Sequence, residues 1–301
     1  MGHTHDGIDW TDRLASLRRA DEIDADLTRE VAERLVDLVA RSGGARRPVA
    51  VDVGSGGGGM SAALALALGK RGGGTVVLAD AVPELLAGAA EVVTETVAAA
   101  GLGDSVTVEA RLGDAADAAF IRGLPAADLL WAARVVHHLP DQQRAVDELA
   151  GVLAPNGWLA LGEGGLASKC LPWDLGIGEP GLGDRLIAAR DGWFVGMRAE
   201  MPGVARLPYG WNRALAAAGL TDVSSSSYLS DHPAPASPAV RESVVTWLTW
   251  MGGREEVELT ATDRETVRRL LDPTDPAYVK NRDDVFHLSA STVHLGRRSS
   301  A

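Results

Sequence analysis

The chain is short of several things, and each shortage excludes a class of protein. A single cysteine, Cys170, stands in 301 residues, so no internal disulfide can brace the fold and a reducing compartment is expected. Lysine occurs only at Lys70, Lys169 and Lys280, and Lys plus Arg number 29 against 41 Asp plus Glu. The resulting net charge of −12 argues against a face that tracks nucleic-acid phosphates and is ordinary as a solubility charge. A basic set made almost wholly of arginine fits the codon bias of a high-GC bacterial gene. No apolar run is long enough to cross a bilayer and no N-terminal signal pattern is visible, so a cytoplasmic protein without membrane contact is expected. His3, His5 and Asp6 form an H-x-H-D run, but no Cys or His cluster follows it, and no metal site is expected. What remains is an ordinary globular composition, 46% hydrophobic and 23% charged, long enough for one large core and a cap.

What the chain does have is glycine in one place. Val49-Ala-Val-Asp-Val-Gly-Ser-Gly-Gly-Gly-Gly-Met60 runs from an apolar strand into a glycine loop and on into an Ala/Leu-rich helix. Gly54, Gly56 and Gly58 lie two apart, and glycine alone turns so sharply beside a ligand. The turn would present the N–H groups of a helix start to a carboxylate or phosphate. Twenty-one residues after Gly59, the segment Thr75-Val-Val-Leu-Ala-Asp80 ends in an acid, at the spacing from which a carboxylate reaches a ribose diol. An adenosine-containing cofactor is expected. Gly54, Gly56 and Gly59 also satisfy the dinucleotide pattern, which leaves an NAD(P)-dependent oxidoreductase as an alternative.

The text that follows narrows the choice. A third strand ends Arg111-Leu-Gly-Asp114-Ala115, a fourth runs through Ala133-Arg134 into His137-His138-Leu-Pro-Asp141, and a fifth follows Ala154-Pro-Asn-Gly-Trp-Leu. These stretches, in this order over residues 45–165, resemble the class I S-adenosylmethionine-dependent methyltransferases, and HHLPD and APNGWL resemble their small-molecule, secondary-metabolite and quinone-modifying branch. The resemblance implies an α/β, Rossmann-like, seven-stranded and mostly parallel sheet with an antiparallel C-terminal strand, plus N-terminal and inserted lid helices. It implies S-adenosylmethionine as cofactor, S-adenosylhomocysteine as product, and a small-molecule acceptor methylated on O, N or C. A relative that binds the cofactor without methylating is a further alternative. The oligomeric state is open, a homodimer being compatible.

Site residues follow on the same footing. Asp52 would orient the loop and attract the cofactor's ammonium, or else be a strand-end carboxylate bonded to backbone. Gly54, Gly56 and Gly58 would line the cofactor, as would Ala81. Asp80 would hold the ribose, or cap the helix that begins at Val82-Pro83. The resemblance puts Asp114 on the adenine amino group with Ala115 beside the ring, against a helix-capping role. Ala133 and Arg134 would line the methionine part, with Arg134 able to hold a carboxylate. His138, and after it His137, could take a proton from an acceptor hydroxyl; alternatively the pair is a packed junction with Asp141 capping the next helix. Trp173, Tyr209 and Trp211, flanked by turn formers, lead an aromatic set as substrate contacts, against ordinary lid packing.

The periodicity predicts two helices over residues 10–40 and strands near 49–53, 75–80, 105–111, 127–133 and 157–163. Beyond these it predicts a helix over 184–201, another over 211–218, strands at 222–229 and 284–296, and helices at 239–251 and 263–271. Thr262-Asp-Arg-Glu265 has capping-box spacing. Three regions are expected: a helical cap over 1–44, a cofactor core over 45–165, and a substrate and lid region over 166–301 carrying the last two strands and a helical insertion at 239–283.

Overall fold

The computed structural model describes residues 10–43 and 47–300; the His3, His5 and Asp6 run lies outside the described residues. Two helices come first, α1 (Trp10–Ile23) and α2 (Ala25–Arg41). Val31, Ala32, Leu35 and Val36 put the buried residues of α2 on one stripe, the spacing of a helix laid on a core. Then β1 (Val49–Val53), α3 (Gly59–Lys70), β2 (Gly74–Asp80), α4 (Pro83–Ala99), β3 (Val106–Leu112), α5 (Ala118–Arg122), β4 (Ala127–Ala133), α6 (Gln142–Val152) and β5 (Leu153–Lys169) alternate. Helix α3 is apolar on all sides because it packs against both α2 and α4.

Strands β1, β2 and β4 are buried along nearly their whole length, as strands covered on both faces must be, and they read as unbroken apolar runs for that reason. β1 pairs in parallel with β2 and β4, β2 with β3, and β4 with β5. After α7 (Leu182–Ala199) and α8 (Trp211–Ala217) come β6 (Thr221–His232), α9 (Pro238–Gly252), α10 (Ala261–Leu271) and β7 (His287–Arg297). The sheet order is β3-β2-β1-β4-β5-β7-β6. Ser225 pairs with His294 and Ser227 with Thr292, so β6 and β7 run in opposite directions. This is the expected Rossmann-like sheet, mostly parallel with an antiparallel C-terminal end. From β1 the chain builds outward to one side, then returns and builds the other side from β4. The ends of β1 and β4 are therefore the switch point at which ligands bind in such sheets.

The chain divides into two compact units. Among the described residues, the first comprises those up to Gly164 with Ala205–Ser227 and those from Thr292 to Ser300; the second comprises Gly165–Val204 and Tyr228–Ser291. Val51, Val53, Leu130, Leu149, Leu159 and Leu161 form the core of the first, joined by Leu215 of α8. In the second, Leu186, Val244, Leu248, Val267 and Leu270 are buried. There Arg185 grips Asp263 with Nε at 3.0 Å and Nη2 at 2.7 Å, and Trp193 meets Trp250 edge-on at 5.1 Å.

Two elements depart from the sequence expectation. β5 starts directly after α6 and runs to Lys169 rather than stopping at Glu163, because Asn156 turns the chain at φ +66° and Gly164 and Gly165 bend it at positive φ without ending the pairing. The Thr262 capping box does not form. α10 begins two residues earlier, capped by Thr260, whose side chain accepts the Asp263 N–H at 3.0 Å, while Glu265 turns outward to Arg268.

Candidate cofactor and active site

The glycine loop leaves β1 at the switch point. Gly54 donates its N–H to Ala79 O at 2.7 Å, which ties the loop to the end of β2. Gly54, Gly56 and Gly58 all have left-handed φ, at +75°, +52° and +90°, so each expected glycine is a conformational necessity. Two are also steric. A β-carbon on Gly54 would lie 2.3 Å from Val135 Cγ2, and one on Gly58 would lie 2.9 Å from Ala89 Cα. Gly56 meets nothing closer than 3.7 Å and keeps one face of the loop open.

Three carboxylates hold this loop. Asp80 accepts the N–H of Gly56 through Oδ2 and of Val82 through Oδ1, both at 3.0 Å. It does not cap α4, whose N-cap is Val82 with no side-chain bond. Two bonds leave lone pairs of Asp80 for a diol. Asp52 lies beneath, 2% exposed, and accepts the Ser61 hydroxyl at 2.6 Å. Burial pushes its carboxyl up to about 7, with Asp80 and Asp21 adding repulsion and the Ser61 bond opposing it. The third is Asp21 of α1, which accepts the Gly59 N–H at 3.2 Å. Burial pushes it up to about 6, against the pull of the Gly59 bond and of Arg134. Nothing in the α1 sequence marks Asp21; only the packing of α1 on the loop reveals it.

The end of β4 carries the second half of the site. Ala133 is half-buried and Arg134 exposed, with Arg134 at φ +56° and its N–H bonded to Gly162 O at 3.0 Å. A left-handed non-glycine residue at a switch point is stored strain of the kind found at functional sites. Beyond it, Val136–His138 forms a single 3-10 turn. Glu163 of β5, 2% exposed, organises that turn. Its Oε1 accepts the N–H of Val135 at 3.1 Å, of Val136 at 2.8 Å and of His137 at 3.4 Å. Its Oε2 lies 2.6 Å from His137 Nδ1. His137 is half-buried while His138 is exposed, the rings 4.0 Å apart between centroids. Asp141 caps α6 as expected, accepting the Arg144 N–H at 3.0 Å.

The remaining sequence candidates separate. Ala81 is a half-buried bend residue between Asp80 and Val82. Asp114 accepts the Ala116 N–H at 2.8 Å in a turn after β3, and the cap of α5 is Asp117 instead. Ala115 packs against the first unit's core. So do Tyr209 and Trp211, and the Tyr209 hydroxyl donates to Gln143 Oε1 at 3.0 Å. Trp173 is different, 70% exposed and on the wall of a cavity of about 310 Å³ in the second unit, with Cys170, Leu171, Ile187, Trp247 and Phe286. Burial pushes the Cys170 thiol up to about 12, which makes it inert. Among the described residues no His, Cys, Asp and Glu group could hold a metal ion, and no helix is long and apolar enough to cross a membrane.

The loop fits an adenosyl amino acid. Gly56 leaves its face open, Asp80 retains acceptor capacity, and Ser55 is 7% exposed with a buried hydroxyl that has no partner. Residues 51–161 match the family model described as Methyltransferase domain, a span covering the glycine loop and the HHLPD stretch alike, which favours S-adenosylmethionine over a nicotinamide. No curated protein matches the chain. Among solved structures it is similar to a protein of Bacillus halodurans C-125 assigned as a methyltransferase, at 17% identity over 88% of this chain and 98% of that one, TM-score 0.47. A Galdieria sulphuraria protein assigned as a sarcosine dimethylglycine methyltransferase shares 18% over 90% and 86%, TM-score 0.43. Phosphoethanolamine N-methyltransferase 2 of Haemonchus contortus shares 15% over 88% and 52%, TM-score 0.42. Residues 51–161 are thus similar to a methyltransferase domain, and S-adenosylmethionine is the cofactor that this similarity supports.

Proposed function

We propose that the chain transfers the methyl group of S-adenosylmethionine to a hydroxyl oxygen of a small-molecule acceptor, with His137 as the base. The observation that carries this reading is the 2.6 Å contact of His137 Nδ1 with the buried Glu163 carboxylate. When bound, the cofactor supplies a methyl group already made electrophilic by its sulfonium. Asp52, Gly54, Gly56, Gly58, Asp80, Ala81, Asp114, Ala115, Ala133 and Arg134 hold it at the switch point. Glu163 accepts Nδ1–H, which fixes the neutral ring in the tautomer whose Nε2 lone pair can accept a proton. With the methyl carbon passing from the sulfonium sulfur to the acceptor oxygen and S-adenosylhomocysteine as the leaving group, His137 would take the hydroxyl proton at Nε2 and Glu163 would steady the imidazolium. An amine or an activated carbon acceptor would need no such pair. His138, exposed, is assigned no proton transfer.

Acceptor selection is assigned to the region beyond residue 166, with Trp173 its first contact. Replacing Trp173 by Ala is expected to raise KM for the acceptor and leave cofactor affinity unchanged. A bacterial, cytoplasmic setting belongs to the same proposal, supported by the single cysteine and the arginine-rich composition, as does a secondary-metabolite acceptor, supported by the resemblance of the HHLPD and APNGWL stretches.

The test is formation of S-adenosylhomocysteine from labelled cofactor across a panel of phenols, alcohols, amines, thiols and carbon acids. Methylated phenols or alcohols support the reading. Turnover of amines or carbon acids alone would remove the base from the mechanism, and cofactor bound without any turnover would favour a non-methylating relative.

A further inference from the structure

Asp21 lies outside every segment that carries a cofactor motif, yet its carboxylate rests on the glycine loop. A β-carbon on Gly57 would come within 2.3 Å of Asp21 Oδ2, and one on Gly59 within 2.5 Å of its Cγ and 2.7 Å of its Oδ1. Neither glycine has positive φ. The run Gly56–Gly59 therefore divides by purpose: Gly56 and Gly58 turn the backbone, while Gly57 and Gly59 make room for α1 and its acid. Helix α3 has no side-chain cap of its own, and Asp21 supplies one from a distance through the Gly59 N–H.

Capping alone does not call for another charge. Serine and asparagine cap as well as aspartate, and this loop already holds Asp52 and Asp80, 2% and 8% exposed. Asp24, just beyond α1, adds more negative charge, and Arg134, exposed at the end of β4, opposes it. The Ser55 hydroxyl, buried within the loop and without a partner, marks the same place as one where a ligand's polar group is to be met. A negative excess beside an unanswered hydroxyl suits a ligand that arrives with positive charge.

We propose that Asp21 is a cofactor-site residue whose charge makes the loop favour S-adenosylmethionine over S-adenosylhomocysteine. The inference rests on S-adenosylmethionine being the group this loop holds. The cofactor carries ammonium, carboxylate and sulfonium, a net charge of about +1, and methyl transfer leaves a neutral thioether, so the product's net charge is about zero. The carboxylates attract the first more than the second. Reaction thus weakens the hold on the spent cofactor, and α1, not the motif-bearing core, supplies part of that discrimination.

Calorimetric titration of the full chain with each ligand separately tests this. Asp21→Asn is expected to lower the affinity for S-adenosylmethionine about fivefold or more while changing that for S-adenosylhomocysteine by less than about twofold. Asp21→Ser, a neutral residue that also caps helices, should behave like Asn, and Asp21→Glu should keep the wild-type ratio. Circular dichroism identifies the variants that fold. Equal weakening toward both ligands would reduce Asp21 to a helix cap and overturn the proposal. Tighter binding of both would mean that it competes with the cofactor for the Gly59 amide, and would overturn it too. A wild-type chain that binds neither ligand would remove the cofactor reading, and this inference with it.

Discussion

Glu163 Oε2 and His137 Nδ1 lie 2.6 Å apart, and the other oxygen of the same carboxylate gathers three successive backbone N–H groups, from Val135, Val136 and His137. One buried side chain therefore shapes the turn after β4 and orients the imidazole within it. Glu163→Ala should cost about 2–4 kcal/mol in urea unfolding, because the N–H groups lose a charged acceptor. Glu163→Gln keeps an acceptor for the turn but places an NH₂ group against Nδ1–H. The fold should survive while methyl transfer to a hydroxyl falls roughly 100-fold or more. His137→Ala should match that loss, and His138→Ala should stay within about twofold of wild type. The reverse order for the two histidines would transfer the base role to His138.

Asp52 and Asp21 predispose the cofactor-free protein to an unusual pH response. Their carboxyls sit at about 7 and about 6 when folded, burial being the first cause for both, against about 4 when unfolded. Between about pH 4 and 7 the folded chain holds more protons than the unfolded one, so stability falls as pH rises through that window. The melting temperature should be higher at pH 5.5 than at pH 8, with Asp52 contributing about 2 kcal/mol of the difference. Asp52→Asn should flatten this dependence and raise stability at pH 8 while weakening cofactor binding. Scanning calorimetry at the two pH values checks it; equal slopes for wild type and variant would show that Asp52 is not the titrating group.

Gly54→Ala meets two separate penalties. A left-handed alanine costs roughly 1–2 kcal/mol, and its β-carbon, 2.3 Å from Val135 Cγ2, adds about 1–3 kcal/mol of overpacking. Pairing it with Val135→Ala should recover the steric part and leave the conformational part. Urea denaturation of the four proteins in the cycle separates the two, and full recovery would mean that φ +75° is not a real constraint at this position.

In the second unit the direction reverses. Arg185 holds the Asp263 carboxyl below its ordinary range, so the stability it lends is present above about pH 4 and is lost as pH falls through the depressed value. Arg185→Met would leave Asp263, 3% exposed, buried without its partner, at a cost of about 3–5 kcal/mol. Hydrogen exchange should report the loss in the amides of α10. Undiminished protection there would show that Thr260 capping alone holds the helix start.

Much of the first unit was readable in advance because its signals are local. Buried parallel strands must be apolar on both faces, so β1, β2 and β4 announced themselves as short apolar runs between Ala-rich helices. A backbone that needs positive φ must use glycine, so Gly54, Gly56 and Gly58 were legible from their spacing. The start of α10 was misread because Thr260 and Thr262 offer similar caps, and the choice between them depends on what Asp263 meets, namely Arg185, 78 residues away. The length of β5 was missed because Gly164 and Gly165 read as a break, whereas their neighbours on β7 keep the strand paired.

The amino-acid order alone determined the strand–helix alternation and the glycine loop, since each depends on residues within one turn or one strand of each other. The tertiary structure decided which histidine the buried glutamate holds, which threonine caps α10, and that an aspartate from α1 completes the loop. Those outcomes depend on side chains brought together from distant segments, where burial sets the strength of a charge and the shape of the neighbouring backbone sets who can reach it. Periodicity and spacing carry neither quantity.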